Sequence, residues 1–274
     1  MKIFLTGAMG FVGSHLAQHL SNSHEVIKFN RWQKILDRLH IAQPNVIINC
    51  AAEIYEPEHM YRANVDLVQD ILQYCRAFPR TRVIHFGSSS EYGECAFATR
   101  EETPLQPSSV YAATKAAASL IAQNWARAFD LDVIVARIYS PYGPGDRSQR
   151  LWPTLWRSFF QGEAMTLSQG VHDWLYISDL VRAVDCLLEH ACPGGRVVNV
   201  ASGYQTSNQA ILEAWRDVTG RQGNVTLLDH VSTPPVWCAD ISRMRQLYSW
   251  EPMIDIRTGI EKLVQAMSSE TVAG

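Results

Sequence analysis

Apolar and polar positions change period repeatedly along the first half of the chain. A run at Lys2 to Thr6 gives way to Gly7, Gly10 and Gly13, and then to Leu16, Ala17 and Leu20 at helical spacing. That order predicts strand, glycine turn and helix. Apolar runs at Val26 to Phe29, at Val46 to Cys50 after Pro44, at Arg82 to Phe86 and at Val133 to Ile138 predict further strands. Helical spacing between them predicts helices around Gln33 to Ile41, Ala63 to Phe78 and Val110 to Phe129. Strand and helix in alternation imply a parallel sheet, because each crossover returns the chain to the same edge and packs a helix on a sheet face. After Ser140 the alternation is lost in a Pro/Gly-rich stretch, followed by the aromatic segment Leu151 to Phe160, for which core packing is expected. The chain therefore reads as α/β, with a doubly wound parallel sheet over residues 1–140 and a smaller mixed substrate-binding lobe over 141–274, parts of which return to the sheet.

Composition narrows the function classes. With 274 residues, 47% of them hydrophobic, the chain can bury a large core, and disorder is excluded. A net charge of −3 offers no electrostatic reason to expect nucleic acid or an anionic membrane as partner. The uncharged apolar run Val46 to Ala52 has seven residues, against roughly 20 needed to span a bilayer. A strand beginning at Lys2 leaves no room for a secretory signal, so a cytoplasmic location is expected. Six cysteines without a CxxC pair and nine histidines without HExxH spacing predict reduced thiols and no metal.

The turn Thr6-Gly7-Ala8-Met9-Gly10-Phe11-Val12-Gly13 stands between a strand and a helix. Missing side chains there let backbone amides approach a pyrophosphate at the helix N-terminus, where the helix dipole favours negative charge. Dinucleotide folds place an acid at the end of the second strand for the adenosine ribose, whereas this chain has Asn30-Arg31. A guanidinium pairs with a 2′-phosphate, so NADP is expected in preference to NAD. The short stretch between Arg31 and Val46 leaves no room for a separate third strand carrying an adenine contact. Tyr111 and Lys115 lie four residues apart in a helical segment and emerge from one face. A neighbouring ammonium is expected to lower the phenol pKa and make it a usable acid or base. Consecutive hydroxyls at Ser88, Ser89 and Ser90 follow a buried strand, at the edge where open α/β sheets bind ligands.

The ordered set resembles the extended short-chain dehydrogenase/reductase family, the nucleotide-sugar epimerases, dehydratases and ketoreductases. It comprises the TGxxGxxG turn, Asn49-Cys50-Ala51-Ala52, Asn64, the Ser-Tyr-Lys group, the segment Arg137 to Pro144 and His172-Asp173-Trp174-Leu175-Tyr176-Ile177-Ser178-Asp179. The resemblance covers nearly the whole chain and implies a Rossmann fold. It also implies Ser88 as the hydroxyl partner of Tyr111, with Ser89 and Ser90 beside it, and Lys115 on the nicotinamide ribose. Cys50, Ala51, Ala52 and Asn64 would lie at the cofactor, with the Ile138 and Tyr139 backbone bordering the nicotinamide. Dehydratases of the family carry an acid two residues after the hydroxyl, where this chain has Ser90; Glu91, one residue on, would point to the opposite side of an extended segment. Two family substrate positions are changed, to Ser140 and to His172, where an arginine often clamps a diphosphate; Arg147, Arg150 and Arg157 are candidate replacements. The expected activity is reduction of a 4-keto sugar nucleotide, with C4 epimerisation on a retained NAD as the alternative, 4,6-dehydration disfavoured and a dinucleotide sensor as the non-enzymatic rival. A homodimer through long helices is implied by resemblance, the small-residue face Ala112, Ala113, Ala116 and Ala117 permitting close approach.

Overall fold

The structure is a computed structural model that describes residues 1–29, 34–228 and 236–273. Its strands are β1 (Lys2–Thr6), β2 (Glu25–Phe29), β3 (Val46–Asn49), β4 (Arg82–Ser88), β5 (Val133–Ile138), β6 (Pro141–Tyr142), β7 (Met165–Leu167), β8 (Val171–Asp173), β9 (Leu175–Tyr176), β10 (Arg196–Val200), β11 (Gln205–Ser207) and β12 (Val225–Leu227). The helices are α1 (Phe11–Leu20), α2 (Ile35–Ala42), α3 (Pro57–Tyr61), α4 (Leu67–Ala77), α5 (Val110–Phe129), α6 (Leu151–Phe160), α7 (Ile177–Glu189), α8 (Asn208–Thr219), α9 (Ser242–Tyr248) and α10 (Ile256–Ala273). A π turn, Arg62–Asp66, joins α3 to α4, and a 3₁₀ turn, Ser89–Tyr92, follows β4.

Six strands form one sheet in the order β10-β5-β4-β3-β1-β2, with every neighbouring pair parallel. This is a Rossmann-like sheet with helices on both faces. Alternation along the strands divides the core: Ile3, Leu5, Ile84 and Ile134 face α1 and α7, whereas Phe4, Ile47, Val83 and Val135 face α2, α4 and α5. Both faces are apolar, as a sheet covered on two sides requires. The chain steps from β1 to β2 on one side and then to β3 on the other, so a crevice opens between the carboxyl ends of β1 and β3. Among the described residues β2 is the outer strand, and no third strand lies beyond it.

The later part of the chain supplies β10 to the sheet edge and three short two-stranded ladders around it. In α6, Trp152, Trp156 and Phe159 are buried, and the Trp152 ring stacks 4.0 Å from that of Tyr142. Along α5, Ala112 and Ala116 are covered by the chain itself, so the small-residue stripe does not form a continuous outer face. Among the described residues no helix is long and apolar enough to cross a membrane.

Candidate functional site

A cavity of about 1880 Å³ runs from the glycine turn along the carboxyl edge of the sheet to the segment before α6 and to β8. Its first wall is backbone. Gly7 has φ +67°, and a Cβ there would lie 2.7 Å from the Ala51 nitrogen; one on Gly13 would lie 2.0 Å from the Gly7 carbonyl. Gly10 caps α1 without a side-chain hydrogen bond, which leaves the first-turn amides to an external acceptor. Phe11, Val12, Cys50, Ala51 and Ala52 line the same wall. A cradle that any Cβ would fill, at an uncapped helix N-terminus, fits the pyrophosphate of a dinucleotide.

The second wall comes from β4 and α5. Ser88 ends β4, and its side chain accepts a hydrogen bond from the Ser90 amide (3.2 Å) while Glu91 Oε1 accepts one from the Ser88 amide (2.8 Å). Ser88, Ser89 and Ser90 line the cavity together with Tyr111 and Lys115. α5 begins at a Ser109 cap that accepts from the Ala112 amide (3.1 Å), and Tyr111 and Lys115 follow on one face of that helix. Burial pushes the Tyr111 phenol above its ordinary range; a hydrogen bond with Ser88 opposes the rise and the Glu91 charge adds to it. The expected lowering by Lys115 is therefore corrected. The lysine ammonium donates to the Phe86 carbonyl, and desolvation outweighs the favourable contacts of the phenol. Burial likewise pushes Lys115 down to about 8, against the opposing charge of Glu91. Cys50, also on this wall, is held protonated by burial.

Glu91 does turn away from the cavity, but not because the segment is extended. The 3₁₀ turn carries its carboxylate inward, to the Ser119 hydroxyl (2.8 Å) and to Arg137 Nε (2.9 Å).

At the far end Ile138, Ser140, Arg147, Arg150 and His172 line the cavity, with Trp237. The Arg147 guanidinium lies 4.9 Å from the Tyr55 ring centroid. Arg150 reaches Asp146 at 3.7 Å, and its positive charge disfavours the protonated forms of both Tyr111 and His172. Burial, then the Arg150 charge, pushes His172 below its ordinary value, so at neutral pH it is an uncharged ring, 5.0 Å from that of Trp174. Arg157 stays outside the cavity, bonded to Glu163 (2.8 Å) and the Ser148 carbonyl (2.9 Å).

Two expected cofactor residues do not reach the cavity. Asn64 is buried and braces the π turn, donating to the Glu53 carbonyl (3.0 Å) and Thr114 (2.9 Å) and accepting from the Glu53 amide (2.8 Å). Tyr139 is buried against Thr99 on the other side of the strand end, and its amide is spent on the Val200 carbonyl. Asn30 and Arg31 lie outside the described residues. The sequence reading missed the loop at Glu53 to Glu56, Arg62 and Asp66 of the π turn, Asp37 and Trp237, all of which line the cavity. No local pattern marks them; the loop arrives there because Asn64 ties it to α5.

Among known proteins, the chain is 26% identical to Bacillus subtilis YtcB, described as an uncharacterized UDP-glucose epimerase, over 98% of each chain. It superposes on the dTDP-glucose 4,6-dehydratase of Bacillus anthracis in complex with NAD with a TM-score of 0.89 at 23% identity, covering 98% of this chain and 97% of the other. The UDP-glucuronic acid 4-epimerase of Bacillus cereus, in complex with UDP-glucuronic acid and NAD, gives a TM-score of 0.86 at 23% identity, over 98% of this chain and all (100%) of that one. The expected preference for NADP is corrected by these structures: most of the similar ones hold NAD, against an NADPH complex of RMD from Pseudomonas aeruginosa. The NADP expectation rested on Asn30 and Arg31 standing where an acid is usual, and a missing acid together with one guanidinium does not by itself select a 2′-phosphate. A family model described as the NAD dependent epimerase/dehydratase family matches residues 3–201, and the chain belongs to that family of NAD(P)-dependent enzymes.

Proposed function

We propose that the protein epimerises a nucleotide sugar at C4 using NAD held at the glycine turn. One observation carries this: Ser88, Tyr111 and Lys115, from β4 and α5, share one wall of a cavity whose other end is the glycine cradle. Epimerase and dehydratase names among the relatives favour this over one-way reduction of a 4-keto sugar. Dehydration is disfavoured because the carboxylate nearest Ser88, that of Glu91, is fully engaged away from the cavity.

The dinucleotide supplies reversible two-electron chemistry at the substrate carbon. Residues of the chain handle the proton and the geometry. Ser88 holds the 4-oxygen by hydrogen bonding, and Tyr111 takes the proton from the 4-hydroxyl as that carbon becomes a ketone. The Lys115 charge stabilises the phenolate that takes this proton and that is restored when the proton is given back. Turning the ketone within the cavity presents its opposite face, and Tyr111 then returns the proton to the same oxygen. Arg147 and Arg150 grip the diphosphate, in place of the arginine that His172 replaces.

Incubation of the purified protein with UDP-glucose or UDP-glucuronic acid, with no added reductant, is expected to yield the 4-epimer by proton NMR. Absence of the epimer, together with stoichiometric reduction of a 4-keto sugar by reduced dinucleotide, would establish one-way reduction instead.

A further inference from the structure

One acidic group lies behind the serine and the lysine of the site without facing the cavity. Glu91 is fully buried (0%). Its Oε1 accepts from the Ser88 amide and the Ser119 hydroxyl, each at 2.8 Å, and its Oε2 accepts from Arg137 Nε at 2.9 Å. Arg137 in turn donates to the Tyr92 hydroxyl (2.8 Å) and the Glu101 carbonyl (3.1 Å). Gly87 belongs to the same arrangement. A Cβ at that position would stand 2.6 Å from Glu91 Oε1 and 3.1 Å from both Ser119 Oγ and Arg137 Cγ, so β4 lacks a side chain where the carboxylate enters. Glycine inside a strand weakens it and marks such a close approach.

The charged and titratable groups facing Lys115 come from four directions. Glu91 lies on the 3₁₀ turn, Cys50 at the end of β3, His85 within β4, and Arg137 on β5 behind Glu91. Cys50 and His85 are neutral because burial disfavours their charged forms. Glu91 Oε1 holds Ser119, one turn along α5 from Lys115, and the Ser88 amide, two residues beyond the Phe86 carbonyl to which the Lys115 ammonium donates, so the carboxylate stands beside the ammonium and its charge opposes the downward pull of burial on Lys115. The same charge raises the proton affinity of Tyr111.

We propose that Glu91 is a positioning residue: it anchors Ser88 at the end of β4 and supplies the buried negative charge that keeps Lys115 an ammonium on the wall shared with Tyr111. Its part in turnover rests on the function proposed above; its effect on Lys115 does not.

Lysine titration separates this role from simple partnership with Arg137. The sequence contains five lysines, Lys2, Lys28, Lys34, Lys115 and Lys262. In protein labelled with carbon-13 at lysine Cε, the Lys115 resonance is the one lost in Lys115→Met. In Glu91→Gln, which keeps an acceptor for Ser88, the Lys115 midpoint is expected to fall by about one pH unit, with the other lysines unmoved. That variant leaves Arg137 buried without its partner, so Glu91→Gln/Arg137→Leu is measured beside it, again with a lowered midpoint expected. A Lys115 midpoint equal to the parent's in both variants would overturn the proposal. With a nucleotide-sugar substrate, the alkaline limb of the kcat profile moves down by the same amount while KM changes little. A parent protein without such turnover would refute the epimerase reading and leave the lysine titration to judge Glu91.

Discussion

The two ends of the cavity are built in opposite ways. At the glycine-turn end the determinant is missing atoms: Gly7 and Gly13 leave backbone against backbone, and the first turn of α1 stays uncapped. At the far end the determinant is side chains, drawn from β4, α5, β8 and the segment before α6. A backbone cradle can be specified within one turn of chain. A side-chain site exists only where distant segments meet, and it takes its electrostatics from residues that never touch the cavity, such as Glu91.

Substitutions that affect one end without the other sharpen this contrast. The largest expected effect is on proton transfer: Tyr111→Phe should lower kcat by about 1000-fold while NAD affinity, read by calorimetry, stays within about twofold of the parent. A comparable loss of NAD affinity would show that the two ends are not separable. Gly13→Ala should act in reverse, because its Cβ meets the Gly7 carbonyl at 2.0 Å. Overpacking of up to about 3 kcal/mol predicts a rise in the Kd for NAD of about 100-fold and a melting temperature lower by about 5 °C. A gentler change is Arg150→Met, which should raise KM for a nucleotide sugar about tenfold, the worth of one charge-assisted hydrogen bond, with a smaller effect on kcat. An unchanged KM would place the diphosphate elsewhere.

Much of the glycine-turn end was legible because it depends on local order. Strands β1, β3 and β5 and helix α5 occupy nearly the segments that apolar periodicity marks, and the glycine turn falls between β1 and α1. Tyr111 and Lys115 share a helix face because four residues make about one turn. Three features were not legible. The segment expected as one helix from Ala63 to Phe78 starts earlier and is interrupted by the π turn, which brings Arg62 and Asp66 to the cavity. Asn64 and Tyr139 sit in family-like segments, yet both are consumed in internal hydrogen bonds. The Tyr111 shift runs opposite to the expected direction, because periodicity reveals a lysine one turn away but not the burial that dominates the phenol.

By itself the amino-acid order determined the alternating strands and helices, the parallel sheet and the place of the glycine turn, since each follows from side-chain period or from the absence of a Cβ over a few consecutive residues. Tertiary structure alone decided which hydroxyls, cations and acids face one another across the crevice and which of them carry charge. Proton affinity depends on desolvation and on Coulomb interactions over a few ångströms, and residues as far apart as Glu91, Lys115 and Arg137 reach such distances only once the sheet has assembled.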